Sequence, residues 1–490
     1  MDSQAIILLG VCIYVVLMLA VGIYVAGKSA SMNDFAVGGR NMSLSVCSIS
    51  IIATWFGAGP MMSSAAAAYS GRTLEVLRDP VVSGVSLLIA GFFFARTYRR
   101  SERMTHIELF EERIGVFAGV ISAFINLLAG SIWLGGVLFA FGVVFETLTG
   151  QPAAVGILGG TLIIVLYTMF GGLKAVAATD VLQMVFIVLG VMVLFFVVVS
   201  DVGGLDAAVQ MMPEHAFRLV PQGRTFNDWF TYFQVWFSSG LIAVGVVSIV
   251  QRAMAAKNEQ VAQNSFYIAG VAYLLFGMIP VMLGYIAVTS MPGVEDGNAI
   301  IPLLAVEHLH PVVVAIFVGA VISAIMSTSD SILLGCGTVI SVNLLPRVVK
   351  GPSEQQKLRV ARWSVPIMAL VALYTAFNAS TVIAAIATAI SFSFATTMAP
   401  FILCIWWKPL NRTGGYAGIA AGFASFLFFT FMYPNVAASF VGFWVSLLVA
   451  ISVSLLTRRR DEPRPLTDAA GDTLKLQDRL GTLSLFRRVK

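Results

Sequence analysis

The 490-residue sequence has little charge: Asp, Glu, Lys and Arg together make up 11% of its residues. A typical soluble domain carries about 25% charged residues, and because hydrophobic residues reach 58% here, the sequence does not belong to that class. The formal net charge is only +5, and the basic residues stand in short loops between apolar segments. This distribution argues against nucleic-acid binding and is typical of membrane orientation signals.

Cysteine and histidine are also scarce, with four residues of each. The histidines stand in or beside loops and form no metal-binding or triad pattern. With no paired carboxylates either, the sequence is not expected to encode an enzyme. The cysteines lie inside apolar segments without CxxC spacing, which indicates buried thiols rather than disulfides or metal ligands; they are Cys12, Cys47, Cys336 and Cys404.

Long apolar segments are what the sequence has in abundance. A helix of about 20 apolar residues spans a bilayer, and about thirteen such helices are predicted. The first is interpreted as a retained span rather than a signal peptide, because its apolar core is long and Asp2 replaces a basic start. The polar tail from Asp461 is expected to be loosely ordered. The predicted spans are about 5–26, 43–69, 80–95, 116–145, 153–170, 175–199, 230–250, 265–288, 311–345, 362–377, 382–407, 416–432 and 438–456.

Charged loops predict the orientation of these spans. Basic residues follow the odd-numbered spans, for example Arg96, Arg252 and Arg458–Arg460, whereas acids such as Asp201 and Glu214 stand in the other loops. Basic loops remain in the cytoplasm. The N-terminus is therefore predicted outside and the C-terminus in the cytoplasm, in a multi-pass protein of the inner (plasma) membrane. In this interpretation Arg252 belongs to a loop.

The ninth apolar segment carries a polar stripe. At about 100° per residue, five residues fall within an arc of roughly 160°: Ala324, Ser327, Thr328, Asp330 and Ser331. An acid in a membrane helix costs about 3 kcal/mol on insertion scales, so it normally faces a partner, a cavity or an ion. Hydroxyl, carbonyl and carboxylate oxygens suit Na⁺ or H⁺. An ion site is favoured over the alternative, in which the hydroxyls bond their own helix and Asp330 pairs with a neighbour.

Two segments contain glycines that interrupt a span. In the second, Gly57 and Pro60 are expected to free the carbonyls of Ala53 and Phe56. Broken backbone at membrane depth is tolerated where it lines a cavity. The seventh segment has a weaker counterpart in Ser238–Gly240 and Gly245. Such breaks in corresponding helices indicate a binding site at the membrane midplane, although small residues also serve close helix packing.

A second acid lies in an apolar segment. Gly171–Lys174 predicts a tight turn, which places Asp180 one to two turns inside the next helix. Beside Asp330 it would complete a cage for a second cation. Pairing with Lys174, or capping of its own helix, is an equally supported alternative.

Four motifs in order resemble the sodium:solute symporter family: Asp34–Arg40 (DFAVGGR), Ala53–Gly59 (ATWFGAG), Gly171–Gln183 (GGLKAV then TDVLQ) and Ser323–Ser331 (SAIMSTSDS). The resemblance runs from about residue 5 to 457. It implies a LeuT-type fold, an inverted repeat of five plus five helices. The implied parts are an extra helix (1–26), the two repeats (43–200 and 227–407), two further helices (413–457) and a cytoplasmic tail (458–490).

The resemblance also implies ion sites. The main Na⁺ site would use three carbonyls and two hydroxyls, those of Ala53, Phe56, Ala324, Ser327 and Thr328. A second cation site would use Asp180, Ser327, Asp330 and Ser331. Bacterial proline symporters of the family carry an aspartate where this sequence has Trp55, so their Na⁺ coordination does not transfer unchanged.

The Ala-Thr-Trp and Ser-x-Asp-Ser motifs most resemble the choline-transporter branch. Quaternary ammonium groups are held by cation–π contact with an aromatic cage. Trp55 and Trp133 match two cage positions, but Ser83 and Val246 replace the other two aromatic residues. The Arg78–Asp79 pair at the entrance to the third span has three interpretations: a carboxylate site, an outer salt-bridged gate, or a solvated loop pair.

The function expected from the resemblance is Na⁺-coupled import of a small organic solute by alternating access. An amino acid, a carboxylate or a related osmolyte is favoured, with choline symport, or proton coupling through Asp330 and Asp180, as alternatives. The expected partners are the solute, Na⁺ and the bilayer, and a monomer suffices. The solute is expected near Trp55, Phe56, Trp133, Ser239, Gly240 and Val246.

Overall fold

The computed structural model describes residues 3–26, 31–57, 59–214, 216, 218–221, 223, 225–379, 382–433 and 436–474. In this part of the chain the regular structure is helical, and β pairing is limited to two isolated bridges. The predicted all-α class is confirmed.

The described residues form helices joined by short 3₁₀ or π-helical turns. The α-helices are α1 Ser3–Ala26, α2 Met32–Val37, α3 Leu44–Trp55, α4 Ser64–Tyr69, α5 Thr73–Val76, α6 Ser83–Phe93, α7 Ala95–Arg100, α8 His106–Ile114, α9 Val116–Thr149, α10 Ala153–Asp201, α11 Leu205–Met211, α12 Phe226–Gly240, α13 Ile242–Gly245, α14 Val247–Ala255, α15 Glu259–Ser290, α16 Ile300–His308, α17 Pro311–Val339, α18 Leu345–Val348, α19 Glu354–Asn378, α20 Val382–Ser393, α21 Ala399–Trp406, α22 Arg412–Met432 and α23 Ala438–Thr457. The turns are Gly38–Arg40, Gly59–Ser63, Leu77–Val82, Gly297–Ala299, Ile340–Leu344 and Phe394–Met398.

Nine helices in the described residues are long and apolar enough to cross a membrane, and a bent pair from α12 to α14 makes up to ten. Three shorter apolar helices, Ile6–Val21, Leu44–Trp55 and Ala153–Met169, coincide with the first, second and fifth predicted spans. Nine or ten qualifying spans among the described residues do not reach thirteen, so the count of thirteen stays a prediction.

Both expected helix breaks are present. The second span stops at the end of α3, where Phe56 has φ −83° and ψ 62°, and resumes through the π-helical turn Gly59–Ser63. The seventh span bends by 51° between α13 and α14, at Val246, whose backbone is extended. At each break a carbonyl accepts a hydrogen bond from another helix, Ala53 from Ser327 and Val244 from Tyr98, as broken helices require in a membrane.

Helix α17 lies at the centre of the molecule. It packs against α1, α3, α9, α10, α14 and α19. All its side chains from Phe317 to Val339 are buried, and it is the most buried of the nine candidate spans among the described residues. The polar stripe therefore faces protein along its whole length.

The turn predicted at Gly171–Lys174 is present inside α10, where Gly172 has φ 63° and ψ −174°. The Cα of Phe35 lies 2.8 Å from the position of a Cβ on Gly172. The Lys174 ammonium pairs with Asp34 at 2.5 Å, and its hydrogen bond holds the pKa of Asp34 below the usual range. The DFAVGGR motif thus packs onto this turn.

Replacing Gly172 with Ala is expected to lower the melting temperature more than replacing Gly351 with Ala. Both glycines have a positive φ, 63° and 61°, which strains an alanine at either position. Gly172 also has ψ −174°, a combination that essentially only glycine adopts. Only at Gly172 does the new Cβ meet Phe35, because nothing lies within 4 Å at Gly351. Thermal melts of the purified variants measure the difference, and equal melting temperatures would contradict the close approach of Phe35.

The tail is ordered over residues 461–474, so the expectation of a loose tail is wrong there; residues 475–490 lie outside the described part. Leu466 and Leu474 are buried. The backbone amide of Ala469 donates to the carbonyl of Ser101 at 2.9 Å, and Arg103 donates to the carbonyl of Asp468 at 2.8 Å. These contacts hold this segment against the end of α7 and the loop that follows it.

Candidate ion and solute sites

The end of α3 meets the polar stripe of α17. Ser327 Oγ donates to the carbonyl of Ala53 at 2.7 Å, and Thr328 Oγ1 donates to the carbonyl of Thr54 at 2.9 Å. Both hydroxyls also lie 3.2 Å from the carbonyl of Ala324. The last carbonyls of a helix have no partner within it, and the α17 hydroxyls satisfy two of those at the end of α3. Five neutral oxygens therefore gather between the two helices.

Four of the five oxygens predicted for the main Na⁺ site lie in this cluster. The fifth, the carbonyl of Phe56, stands at the same break but makes no hydrogen bond to α17 in the described residues. The sequence interpretation missed the carbonyl of Thr54. Its signal was present, because Thr54 belongs to the same final turn as Ala53, and all the carbonyls of that turn are released together.

Gly57 allows this approach. A Cβ on Gly57 would lie 2.1 Å from Thr328 Oγ1 and 3.4 Å from the carbonyl of Ala324. Contacts below 3.0 Å are essentially never seen for a real Cβ. The absence of a side chain at the break is therefore a condition for the contact between α3 and α17.

Asp180 is fully buried, and its partners differ from those proposed for it. One carboxylate oxygen, Oδ2, accepts from Ser50 Oγ at 2.5 Å and from the Arg252 guanidinium at 3.4 Å. The other, Oδ1, is buried without a hydrogen-bond partner. Pairing with Lys174 is wrong, because Lys174 binds Asp34. Helix capping is also wrong, since Asp180 lies well inside α10.

Asp330 joins the same network. Tyr167 donates to its Oδ2 at 2.6 Å, and Ser331 Oγ donates to its Oδ1 at 3.1 Å. Arg252 donates in turn to Ser331 Oγ at 2.5 Å. The structure thus brings Asp180, Asp330 and Ser331 together as predicted, with a guanidinium bridging them.

Arg252 is the functional candidate that the sequence interpretation missed. The assignment of Arg252 to a loop is wrong: it lies in α14, is 0% exposed, and also donates to Ser50 and to the carbonyl of Ser248. The count of charged residues near the end of a predicted span does not show whether an arginine lies in the loop or in the last buried turn of the helix. The sequence holds no local signal for this burial, because the polar Ser248 and Gln251 precede Arg252 as they would precede a loop.

The two tryptophans of the expected aromatic cage are in contact. The ring centroids of Trp55 and Trp133 lie 5.9 Å apart with planes tilted by 59°. Phe56 packs edge-on against Tyr273 at 6.0 Å. Two of the four cage positions are thus aromatic, and Ser83 and Val246 add none.

The predicted solute residues are divided between two cavities. Trp133 and Val246 line an apolar cavity. Ser239, Arg78 and Asp79 line a second one of about 210 Å³, called the polar cavity here, whose wall also includes Ser63, Glu75 and Gln234. The cavities share Ile390 and Phe394. Trp55, Phe56 and Gly240 line neither.

Arg78 and Asp79 do not form a salt bridge with one another in the described residues. Asp79 accepts a hydrogen bond from Tyr273 at 2.6 Å. The guanidinium of Arg78 faces the polar cavity. The predicted salt-bridged gate is therefore not formed in this structure.

Helices broken at membrane depth, around a buried polar helix and between solute-sized cavities, define a secondary transporter. The family model for the sodium:solute symporter family matches residues 35–422. The chain belongs to this family. It is accordingly a multi-pass transporter of the plasma membrane, and the expectation that it is not an enzyme is confirmed.

Curated relatives span most of the chain at low identity. The high-affinity choline transporter 1 of Caenorhabditis elegans is 26% identical and covers 85% of this chain and 76% of its own. The osmoregulated proline transporter OpuE of Bacillus subtilis is 25% identical, and the match covers 94% of this chain and 96% of OpuE. The sodium/glucose cotransporter of Vibrio parahaemolyticus is 26% identical, and the match covers 86% of this chain and 84% of the cotransporter. These relatives carry three different solutes in their names.

A solved structure establishes the fold. The outward-open, substrate-bound state of a Na⁺-coupled sialic acid symporter matches with a TM-score of 0.79, covering 92% of this chain and 98% of that chain at 17% identity. The predicted LeuT-type fold is confirmed.

Proposed function

We propose that the protein imports a small organic solute together with Na⁺ by alternating access. The observation that carries this proposal is the gathering of oxygens between α3 and α17, where Ser327 and Thr328 reach the carbonyls of Ala53 and Thr54. These groups are hard oxygen ligands without a competing positive charge among them, which suits an alkali cation. The carbonyls of Ala324 and Phe56 complete the proposed set.

Coupling follows from where these ligands stand. Three are supplied by α17, and the others by the broken end of α3, so a shared cation ties the two helices together. Without the cation, three side-chain hydrogen bonds link α3 to α17 in the described residues, namely those of Ser327 and Thr328 to carbonyls and the one between Thr54 and Ser331. Each is worth about 1 kcal/mol. The broken second span then moves more freely against α17. Entry of each Na⁺ down the membrane potential supplies about 2.3 kcal/mol per 100 mV.

The second cation site is proposed from charge balance. With both acids ionised, Asp180, Asp330 and Arg252 carry one net negative charge in a fully buried cluster. An uncompensated buried charge is costly, so this cluster takes up one further positive charge. The partnerless Asp180 Oδ1 is its ligand. If Na⁺ provides this charge, the Na⁺-coupled function holds. If a proton provides it, the proton-coupled alternative holds.

For the solute, we favour an amino acid, a carboxylate or a related osmolyte over choline. Trp55 and Trp133 supply half of an aromatic cage, and a quaternary ammonium needs ring faces on several sides. The names of the relatives include proline and glucose as well as choline. The choline alternative rests on the motifs shared with the choline-transporter branch.

The arrangement in the membrane is part of the same proposal. The repeats would be residues 43–200 and 227–407, with residues 1–26 before them and 413–457 after. The N-terminus would lie outside and the tail of residues 458–490 in the cytoplasm. A single chain contains all the ligands described, so a monomer suffices.

Uptake by proteoliposomes tests the function. Radiolabelled proline, choline and glucose, together with a panel of small carboxylates, are offered under an inward Na⁺ gradient or an inward K⁺ gradient. We expect uptake of one solute class in the Na⁺ arm only. Uptake that ignores Na⁺ but depends steeply on pH would instead establish the proton-coupled alternative through Asp330 and Asp180.

Replacing Ser327 or Thr328 with Ala is expected to raise the Na⁺ concentration for half-maximal uptake by about tenfold, which corresponds to about 1.4 kcal/mol for one lost ligand. Ser329 is the matched control, because its hydroxyl bonds the carbonyl of Ile325 in its own helix at 2.8 Å. Ser329→Ala should leave the Na⁺ dependence unchanged. If all three variants behave alike, the proposed ligands are wrong.

A further inference from the structure

The guanidinium of Arg78 forms no ion pair with any of the described residues. Arg78 lies in the π-helical turn Leu77–Val82 at the start of the third span and on the wall of the polar cavity. In the described residues no side chain or carbonyl accepts a hydrogen bond from it. By contrast, Arg113 donates to the carbonyls of Trp407 and Lys408. An arginine within a span normally faces a partner or marks a solute pathway, and Arg78 faces a cavity.

The acids beside Arg78 are already engaged. Glu75 pairs with Arg72 at 2.8 Å, and Asp79 accepts from the hydroxyl of Tyr273 at 2.6 Å. Both carboxylates also line the polar cavity and attract the Arg78 guanidinium, but neither forms an ion pair or a hydrogen bond with it in the described residues. The guanidinium therefore remains available to a group that enters the cavity.

Ser63 supplies a second unused donor on the same wall. Its side chain is only 6% exposed, and its hydroxyl is buried without a hydrogen-bond partner. A buried hydroxyl that lacks a partner costs free energy, and a ligand that accepts its hydrogen bond removes that cost. Ser63 and Arg78 come from opposite sides of the first extracellular-side connection in the proposed topology, yet both line the polar cavity.

The side chains of Arg78 and Ser63 define the kind of acceptor group that would bind in the polar cavity. A guanidinium offers two parallel N–H groups that match a carboxylate, and a hydroxyl adds a donor to either oxygen. The opposite wall has Gln234 and Ser239 from α12, which suit the polar body of a small solute.

We propose that Arg78 and Ser63 bind the carboxylate of the transported solute, so that the substrates are small carboxylates. This inference rests on the proposed symport and narrows its solute class. It assigns Arg78 to recognition of the solute in place of a gate. The carboxylate docks in the polar cavity, next to the apolar cavity that shares Ile390 and Phe394 with it.

Matched probes test the proposal in the purified full-length protein. Proline, glycine betaine and lactate are compared with prolinamide, choline and lactamide, which lack the carboxylate, by thermal shift in NaCl. We expect stabilisation by at least one carboxylate and by none of the three counterparts. Equal stabilisation by a counterpart, or no response to any carboxylate, would overturn the proposal.

Variants locate the effect. Arg78→Gln is expected to weaken binding of the active carboxylate about 100-fold. Arg78→Lys should weaken binding less, because lysine keeps the charge but lacks the two parallel N–H donors of the guanidinium. Arg459→Gln is the control, since Arg459 is exposed and lines neither cavity, and it should change binding little. Stabilisation by NaCl alone should persist in Arg78→Gln, which shows that the variant is folded. Wild-type carboxylate affinity in Arg78→Gln would refute the role of Arg78.

The outcome separates this inference from the symport itself. Na⁺-dependent uptake of a solute without a carboxylate would leave the symport intact and reject the carboxylate site. Absence of any Na⁺ response in the wild type would reject the symport first.

Discussion

Arg252→Met is expected to lower the free energy of unfolding by about 3–5 kcal/mol, the usual cost of removing one partner of a buried ion pair. The guanidinium is fully buried and is the cationic partner of Asp180. It also donates to Ser331 and Ser50. Removing it leaves a buried carboxylate without its counter-charge. Denaturant titration in detergent micelles, followed by tryptophan fluorescence, measures the loss.

Removing the charge of Asp180 as well should recover much of that stability. In the double variant Arg252→Met/Asp180→Asn both charges of the pair are gone, so we expect it to be more stable than Arg252→Met alone. The non-additivity of the two substitutions reports the coupling of the pair. A single variant within 1 kcal/mol of the wild type would show that the network does not depend on Arg252.

Gly57→Ala is expected to abolish Na⁺-dependent transport while leaving the protein folded. The new Cβ would stand 2.1 Å from Thr328 Oγ1. Thr328 cannot turn away without giving up its hydrogen bonds to the carbonyls of Thr54 and Ala324. The helices must therefore separate at the oxygens proposed for Na⁺. The Na⁺ activation curve of uptake is the measurement, with an expected loss of response of tenfold or more, about 1.4 kcal/mol per factor of ten.

Gly159→Ala provides the matched control for Gly57→Ala. Gly159 lies in α10, and an added Cβ there has nothing within 4 Å. The same change of residue type should leave Na⁺ activation as in the wild type. Normal Na⁺ activation in Gly57→Ala would mean that the close contact between α3 and α17 is not needed for coupling.

The oxygen cluster proposed for Na⁺ was largely predictable from the sequence, because its signals are local. The polar stripe of α17 follows from helical periodicity, and the freed carbonyls at Ala53 follow from the nearby Gly57 and Pro60. The turn at Gly172 likewise follows from adjacent glycines. In each case the deciding residues lie within about two turns of one another.

Features that depend on distant partners were not predictable. Arg252 stands near a span end, where the same sequence pattern is compatible with a loop or with a buried last turn, and only the packing of α14 against α3 and α17 distinguishes them. The partners of Asp180 come from two other helices. The division of the solute residues into two cavities depends on Ile390 and Phe394 of a helix far along the chain. Periodicity within one segment carries no information about these neighbours.

The most direct test of the proposed coupling is the thermal stability of the purified protein in NaCl and in KCl at equal ionic strength. The wild type is compared with the double variant Ser327→Ala/Thr328→Ala. We expect the melting temperature of the wild type to rise with Na⁺ and not with K⁺, because a cation bound between α3 and α17 stabilises the folded state. That rise should be lost or strongly reduced in the double variant. Equal melting temperatures in the two salts, or an undiminished Na⁺ response in the double variant, would contradict a Na⁺ site between these helices.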